Sequence, residues 1–363
     1  MYRADSEILA ALEGSGEVVA KLSFYSLRRN GHLLLGIPKD RIMAKLTLNL
    51  YQPQSSKAKF TVRLIKLMVG FRIHWLLPTV DLCIKDSSPI AKLNGDSREI
   101  GFLLGNPEAE SRRTIVSYYA GDNFEVAKIG IGSAAKISVL NEAKTIELIP
   151  LFYTGVVRSR RSLSLNNWFF YSTDFVRGIA PKKQDDSLVL ALLTDWMKHF
   201  EKKRVSEISV WNDLVEMVKH SELKCADSVL KQLSNMEIMV GLYHGDFAPW
   251  NIKISDNKKL HVMDWENAIL DGLAGWDWIH YLIRRSILVD GATLFQALES
   301  CVIWAKSVEG RIYLIKSGWG ENIDLWMGSY IIYNSISHND ADLENNLDCL
   351  NNVMTDDCLK IIK

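Results

Sequence analysis

A short loop in the second half of the sequence contains residues that could transfer a proton and bind a metal ion. The loop reads "YHGDFAPWNIKI" and places Asp246 and Asn251 five positions apart, just before a strand-like run. A hairpin pattern follows, "NIKISDNKKLHVMDW", with a turn predicted at Asp256 to Lys258. Since a tight hairpin brings its ends together, we expect Asn251 and Asp264 to lie side by side, with Asp246 nearby. Carboxylate and amide oxygens suit Mg²⁺, and a further carboxylate can deprotonate a hydroxyl.

These motifs resemble those of a known family of enzymes. "HGDFAPWN" is similar to the H-x-D-x-x-x-x-N catalytic loop of protein-kinase-like enzymes, and "MDWE" resembles the metal motif of the aminoglycoside phosphotransferase and choline kinase branch. The resemblance implies that Asp246 is the catalytic base, that Asn251 and Asp264 hold Mg²⁺ on the nucleotide phosphates, and that His244 braces the loop. Asp277, in "GWDWIHYL", is similar to a residue that supports the catalytic loop from a helix.

The same resemblance predicts a nucleotide site in a small lobe. Lys128, in "FEVAKIGI", would contact phosphate and pair with Glu142 on the following helix. Asp174, Phe175 and Val176 would form the segment against which the adenine lies. The full glycine-rich loop of protein kinases is missing from "LLGNPEAESRRTIV", so Arg112 and Arg113 are considered as phosphate contacts, although arginines at the start of a strand are more often solvated.

Three regions are expected to position these residues. Residues 1–95 form an N-terminal extension of mixed helices and strands with no recognisable chemistry. Residues 96–178 read as strand, turn, strand, strand, helix, strand, which predicts a small antiparallel sheet that binds nucleotide. Residues 179–363 are mostly helical apart from the hairpin, and form the catalytic lobe. The predicted class is therefore α+β, with a two-lobed protein-kinase-like fold and an extra N-terminal α/β region.

The composition is that of an ordinary globular protein. Of 363 residues 48% are hydrophobic, and 43 acidic residues balance 43 basic ones, so no overall charge favours nucleic acid. Five widely spaced cysteines and no C-x-x-C pair favour a reducing compartment, and we expect a cytoplasmic protein. The apolar segment "FTVRLIKLMVGFRIHWLLP" contains too many charges to span a membrane. We favour a helix packed on its own domain over one lying on a membrane surface.

Two other functions compete with the kinase-like interpretation. "GIGSAA" matches a dinucleotide-binding pattern, but the next strand-like piece, "LFYTGVV", has no acidic residue to hold a ribose. A catalytically silent kinase fold that serves as a binding or scaffold protein stays as the alternative, although Asp246, Asn251, Asp264 and Lys128 are all present.

The expected enzyme uses ATP and Mg²⁺ to phosphorylate a hydroxyl of a small molecule. Aromatic residues are frequent in the helical region after the metal motif, but at helical spacing they more often belong to the core. Acidic residues such as Asp271, Asp290 and Glu299 could meet a polycationic aminoglycoside, but they are scattered along the chain. A sugar or glycan intermediate is therefore preferred as the acceptor.

Overall fold

The computed structural model describes residues 3–51, 53, 56–93, 99–105, 112–165, 167–219 and 224–337. The chain divides into two compact units. Unit 1 consists of residues 1–148 and 156–177, and unit 2 consists of residues 149–155 and 178–363. The residues predicted to bind nucleotide lie in unit 1, whereas those predicted to bind metal and act as a base lie in unit 2.

Unit 1 is built on one antiparallel sheet of eight strands. The strands are β1 (Val18–Arg29), β2 (His32–Ile37), β3 (Thr79–Lys85), β4 (Ile100–Leu104), β5 (Arg113–Ala120), β6 (Asn123–Ile131), β7 (Ser159–Leu165) and β8 (Trp168–Asp174). Their order across the sheet is β3-β1-β2-β4-β5-β6-β8-β7. The sheet therefore continues across position 95, because β2 pairs with β4 through Leu35 opposite Leu103 and Gly36 opposite Phe102.

One strand of this sheet was missing from the predicted order of elements. β7 reads "SRRSLSL" and pairs only with β8, at the edge of the sheet. Its residues are mostly exposed on both faces, so it lacks the alternation of apolar and polar residues that identifies a half-buried strand.

In the described part of unit 1, five helices accompany the sheet: α1 (Arg3–Glu13), α2 (Arg41–Leu48), α3 (Ser56–Gly70), α4 (Pro89–Leu93) and α5 (Ser133–Leu148). The carboxylate of Asp40 accepts a hydrogen bond from the backbone N–H of Met43, which caps the start of α2. α5 packs on β6 and β8 and begins within the "GIGSAA" stretch. The dinucleotide interpretation requires the strand before this helix to pair with a parallel neighbour, but β6 pairs antiparallel with both β5 and β8.

Unit 2 is mostly helical. Its helices are α6 (Asp186–Met197), α7 (Ser209–Lys219), α8 (Lys224–Leu233), α9 (Trp276–Leu288), α10 (Leu294–Lys306), α11 (Val308–Ser317) and α12 (Ile323–Ser337). A small antiparallel sheet contains β9 (Glu201–Arg204), β10 (Glu237–Tyr243) and β13 (Ile269–Leu273). The predicted hairpin is present as β11 (Ile252–Ile254) and β12 (Leu260–Val262).

Large aromatic side chains fill the interior of unit 2. Seven tryptophans are among its fully buried side chains: Trp196, Trp211, Trp265, Trp276, Trp278, Trp319 and Trp326. The expectation that the aromatic residues of the late helices belong to the core is thus confirmed for the tryptophans of α9 and α12.

The predicted α+β class is confirmed by the antiparallel sheet of unit 1 and the helices of unit 2. In the part of the chain that the structure describes, no helix has the length and apolar character that a membrane crossing requires.

Candidate active site

The loop that joins β10 to the hairpin holds Asp246 and Asn251 in direct contact. The chain leaves β10 at Tyr243 and turns through a short 3₁₀ helix at Pro249–Asn251 before β11 begins. Asn251 Nδ2 donates to the backbone carbonyl of Asp246 at 2.9 Å and to its Oδ2 at 2.8 Å. The five-residue spacing in the sequence therefore serves to place the amide against the carboxylate.

His244 lies behind this loop as a neutral ring. Its Nε2 is 2.9 Å from the carbonyl oxygen of Met263, which can only accept, so Nε2 carries the proton. Its Nδ1 accepts the backbone N–H of Asp246 at 3.2 Å. Burial lowers the pKa of His244 to about 4, which agrees with a neutral ring. The contacts expected for a bracing residue are thus present on both ring nitrogens, one toward the loop and one toward the hairpin.

Asp277 supports the loop from the first turn of α9. Its Oδ2 accepts the backbone N–H of His244 at 2.9 Å, and its Oδ1 accepts that of Gly245 at 3.3 Å. Burial raises the pKa of Asp277 to about 7, although the two N–H donors favour its ionised form. Gly245 has φ +83°, and a Cβ there would lie 2.3 Å from the carbonyl oxygen of Asn267. A side chain is therefore excluded at the position where the loop approaches its neighbours most closely.

The hairpin brings Asp264 next to Asn251 as predicted. Met263 donates its backbone N–H to the carbonyl of Asn251 at 2.9 Å, so Asp264 follows directly after a residue paired with Asn251. Asp264 has φ +69°, an uncommon conformation for a residue with a side chain. Such strain is often found at functional positions, where the surrounding structure maintains it.

The residues at this hairpin end fit a magnesium ion. Since the Asn251 amide nitrogen faces Asp246, its carboxamide oxygen is directed away from that contact. The Asp264 carboxylate would supply a second hard oxygen. Two such oxygens would suit a cation such as Mg²⁺, which keeps waters and takes other ligands from substrate phosphates. Among the described residues no group of three His, Cys, Asp or Glu side chains could enclose a metal ion.

His280 is a site residue that the sequence analysis did not identify. It lies on α9 and is almost completely buried; its Nε2 is 2.9 Å from Asp246 Oδ1, and its Nδ1 is 2.8 Å from the hydroxyl of Tyr330 on α12. Burial raises the pKa of Asp246, but the hydrogen bond from His280 and the electrostatic attraction between the two outweigh it, so the pKa lies below its usual value. The carboxylate can only accept, so Nε2 donates to it, and Nδ1 is hydrogen-bonded to the Tyr330 hydroxyl.

In unit 1, Lys128 and Glu142 form the predicted ion pair. Lys128 Nζ lies 2.7 Å from Oε1 and 2.6 Å from Oε2 of Glu142, whose side chain is fully buried on α5. Arg113 approaches the same carboxylate at 3.9 Å. The buried carboxylate of Glu142 therefore has two cations near it.

Arg112 has a different role from the phosphate contact considered for it. It is buried, and its Nη1 donates to Asp5 Oδ1 on α1 at 3.0 Å while its Nε donates to the carbonyl of Gly105 at 3.0 Å. The expectation of a solvated Arg112 was wrong. Its partner Asp5 lies more than a hundred positions earlier in the chain, so the residues around Arg112 give no sign of the contact.

The segment predicted to contact adenine lies at the end of β8. The exposed Asp174 accepts from Arg160 Nε at 2.9 Å and from Nη2 at 2.7 Å. Phe175 donates its backbone N–H to the carbonyl of Phe124 at 2.9 Å, and Val176 follows it half-buried. The adenine contact of these three residues stays a prediction.

Comparison with known proteins gave similarities to solved structures alone, since no protein-family model and no curated protein matches the sequence. A thermostable mutant of aminoglycoside phosphotransferase APH(4)-Ia, in a ternary complex with ADP and hygromycin B, is 11% identical with a TM-score of 0.49; 73% of this chain and 96% of that chain are covered. The Plasmodium vivax ethanolamine kinase is 11% identical with a TM-score of 0.39, covering 70% of this chain and 80% of that one. Spectinomycin phosphotransferase APH(9)-Ia, in complex with ADP and spectinomycin, is 10% identical with a TM-score of 0.34, covering 72% and 91%. The names of all three are those of small-molecule kinases, but we transfer no residue role from them.

Proposed function

We propose that the chain is an ATP- and Mg²⁺-dependent phosphotransferase that moves the γ-phosphate of ATP to a hydroxyl of a small molecule. The proposal is carried by the arrangement at Asp246, whose two carboxylate oxygens are held by His280 and Asn251 while 31% of its side chain stays exposed. A carboxylate fixed in this way can accept a proton from a hydroxyl that it also orients.

The proposed reaction gives Asp246 one task. The acceptor oxygen forms a bond to the γ-phosphorus as the bond to the leaving ADP oxygen breaks, and the hydroxyl proton passes to Asp246. His280 and Asn251 keep the carboxylate from rotating while this happens. Asp264 and the carboxamide oxygen of Asn251 would hold Mg²⁺, which supplies positive charge to the phosphates.

Lys128 is the proposed phosphate contact in unit 1. Its pairing with the buried Glu142 fixes the direction of a flexible side chain, which lowers the entropy that is lost when phosphate binds. Asp174, Phe175 and Val176 are proposed to contact the adenine.

The proposed acceptor is a hydroxylated small molecule, and we favour a sugar or glycan intermediate. One of the acidic residues considered for a polycation, Asp271, already accepts a hydrogen bond from Ser209 Oγ at 2.6 Å. A cytoplasmic location is proposed from the cysteines; Cys83 and Cys301 are both free thiols.

The test is an ATP-consumption screen with Mg²⁺ over sugars, amino alcohols and aminoglycosides. We expect acceptor-dependent turnover that falls by about 10²–10⁴-fold in Asp246→Asn, while ATP affinity stays close to that of the wild type. Asp256→Asn is the matched control, because it makes the same change at an exposed position of the same hairpin and should keep full activity.

Two results would overturn the proposal. Equal turnover in wild type and Asp246→Asn would remove Asp246 as the base. Binding of Mg²⁺ and ATP without consumption on any acceptor of the panel would favour the silent scaffold instead. Lys128→Met should raise the dissociation constant for ATP, and an unchanged constant would contradict the role given to Lys128.

A further inference from the structure

The segment from α3 to the following 3₁₀ turn is strongly basic and also rich in apolar residues. Residues 56–77 contain five cationic side chains, Lys57, Lys59, Arg63, Lys66 and Arg72, and no Asp or Glu. Since the whole sequence has no net charge, this positive charge is a local feature. The catalytic proposal makes no use of it.

One face of α3 packs in the interior of unit 1, as the sequence predicted. Val62, Ile65 and Val69 are buried, and the last two join a core cluster with residues of α2 and β2. This face accounts for the apolar residues that the fold needs from the helix.

A second apolar face of α3 is exposed. Phe60, Leu64, Leu67 and Phe71 follow at helical spacing, and Phe60 and Phe71 are 70% and 75% exposed. At 100° per residue this stripe lies opposite the buried one. The next exposed apolar residues along the chain are Ile73, Trp75 and Leu76. We use the name basic apolar face for the solvent-exposed side chains among residues 57–76.

The cations border the apolar stripe. On the helical wheel Lys59, Arg63 and Lys66 lie along one side of it and Lys57 along the other, and all four are exposed. Helices that lie in the plane of a membrane have this composition, with lysine and arginine beside phenylalanine, leucine and tryptophan. Their apolar side chains enter the acyl region of the bilayer, and their cations contact the anionic headgroups.

We propose that the basic apolar face docks on the surface of an anionic lipid bilayer. A bilayer offers negative charge and apolar depth together along a plane, which matches a straight stripe bordered by cations. A second copy of the chain fits less well, because a two-fold contact through this face would bring like charges together. This proposal is independent of the proposed function, since it uses no residue of the candidate active site.

The test is sedimentation of the full chain with vesicles of phosphatidylcholine alone or mixed with phosphatidylglycerol. We expect partitioning onto the anionic vesicles that weakens as salt rises. Lys59→Gln with Arg63→Gln should lower the partition coefficient by about 30-fold, at about fivefold for each basic residue. Lys306→Gln with Lys316→Gln, exposed on α10 and α11, is the charge control and should leave it within about twofold.

A second pair of variants tests the apolar stripe. Phe60→Ser with Leu67→Ser should abolish partitioning, whereas Ile312→Ser with Ile315→Ser on α11, which are 49% and 66% exposed, should not. Circular dichroism of each variant establishes that it is folded. The proposal is overturned if the wild type does not bind anionic vesicles, if control and test pairs lose binding equally, or if the chain forms an oligomer that Phe60→Ser with Leu67→Ser dissociates.

Discussion

Replacing His280 by leucine tests whether the carboxylate of Asp246 is held by a chain of hydrogen bonds. In the folded protein the Tyr330 hydroxyl is hydrogen-bonded to His280 Nδ1 at 2.8 Å, and His280 Nε2 donates to Asp246 Oδ1 at 2.9 Å. A leucine side chain would fill much of the space of the ring but would offer neither a donor nor an acceptor. His280→Leu therefore removes both hydrogen bonds, and its companion Tyr330→Phe removes the hydroxyl alone.

The size of the effect follows from the groups left without partners. A hydrogen bond to a charged group contributes about 1.5–3 kcal/mol, and a stranded buried hydroxyl costs about 1–3 kcal/mol. We therefore expect His280→Leu to lower the free energy of unfolding by about 2–5 kcal/mol and Tyr330→Phe by about 1–3 kcal/mol. The double variant should cost less than the sum by about 1 kcal/mol, because the bond between the two residues is lost only once.

Tryptophan fluorescence during unfolding in urea measures these changes mainly in unit 2. Nine of the 11 tryptophans lie there, the other two being Trp75 and Trp168 in unit 1. Additivity of the two substitutions to within about 0.3–0.5 kcal/mol would show that the bond is not formed.

His280→Gln separates positioning of Asp246 from simple packing. The Gln amide nitrogen can take the place of Nε2 and keep a donor on Asp246, so turnover should exceed that of His280→Leu while ATP affinity is the same in both. Equal turnover in the Gln and Leu variants would refute the claim that the donor matters.

Two further predictions concern buried carboxylates. Asp5→Asn breaks the buried pair with Arg112 and should destabilise unit 1 by about 3–5 kcal/mol at neutral pH. Burial raises the pKa of Asp5, but the backbone N–H of Leu33 and the Arg112 guanidinium together lower it by more, so the pKa lies below its usual value. The ionised Asp5 therefore stabilises the folded protein above about pH 4, and this stabilisation is lost as the pH falls through the folded pKa. Chemical unfolding at pH 7 and at pH 3 should show that the difference in unfolding free energy between wild type and Asp5→Asn becomes smaller at pH 3. Asp277→Ala leaves the backbone N–H groups of His244 and Gly245 without their acceptor and should reduce turnover more than ATP affinity. Unchanged turnover would show that the loop keeps its shape without this support.

The parts of the site that were predicted from the sequence are local in the chain. The contact of Asp246 with Asn251 and the closeness of Asp264 both follow from one loop and one hairpin, whose turn residues are readable. Within one hairpin, the spacing of residues and the geometry of the turn leave few alternatives. The ion pair of Lys128 with Glu142, which are 14 positions apart, was instead implied by the family resemblance, because the residues alone fit an ordinary surface lysine equally well.

The features that were missed depend on pairing between distant segments. The sheet joins β2 to β4 across the expected boundary near residue 95, and no pattern within either strand specifies its neighbour. Arg112 has the local pattern of a solvated residue because its partner, Asp5, is on the first helix. Such contacts are decided by the packing of whole elements rather than by local sequence.

His280 occupies an intermediate position between these two cases. It follows Asp277 by three residues on α9, so both side chains lie on one face of the helix. Once Asp277 was expected to support the loop, that spacing implied that the residue one turn later would face the loop too. Both contacts thus come from α9: Asp277 accepts backbone N–H groups of the loop, and one turn later His280 donates to the carboxylate of Asp246. The orientation of Asp246 therefore depends on the rotation of α9 about its axis. The helix starts after Gly275, which has φ +94° and where a Cβ would lie 2.7 Å from Trp326 Nε1. Gly275→Ala should therefore shift the start of α9 and lower acceptor-dependent ATP consumption, and unchanged consumption would show that α9 keeps its position.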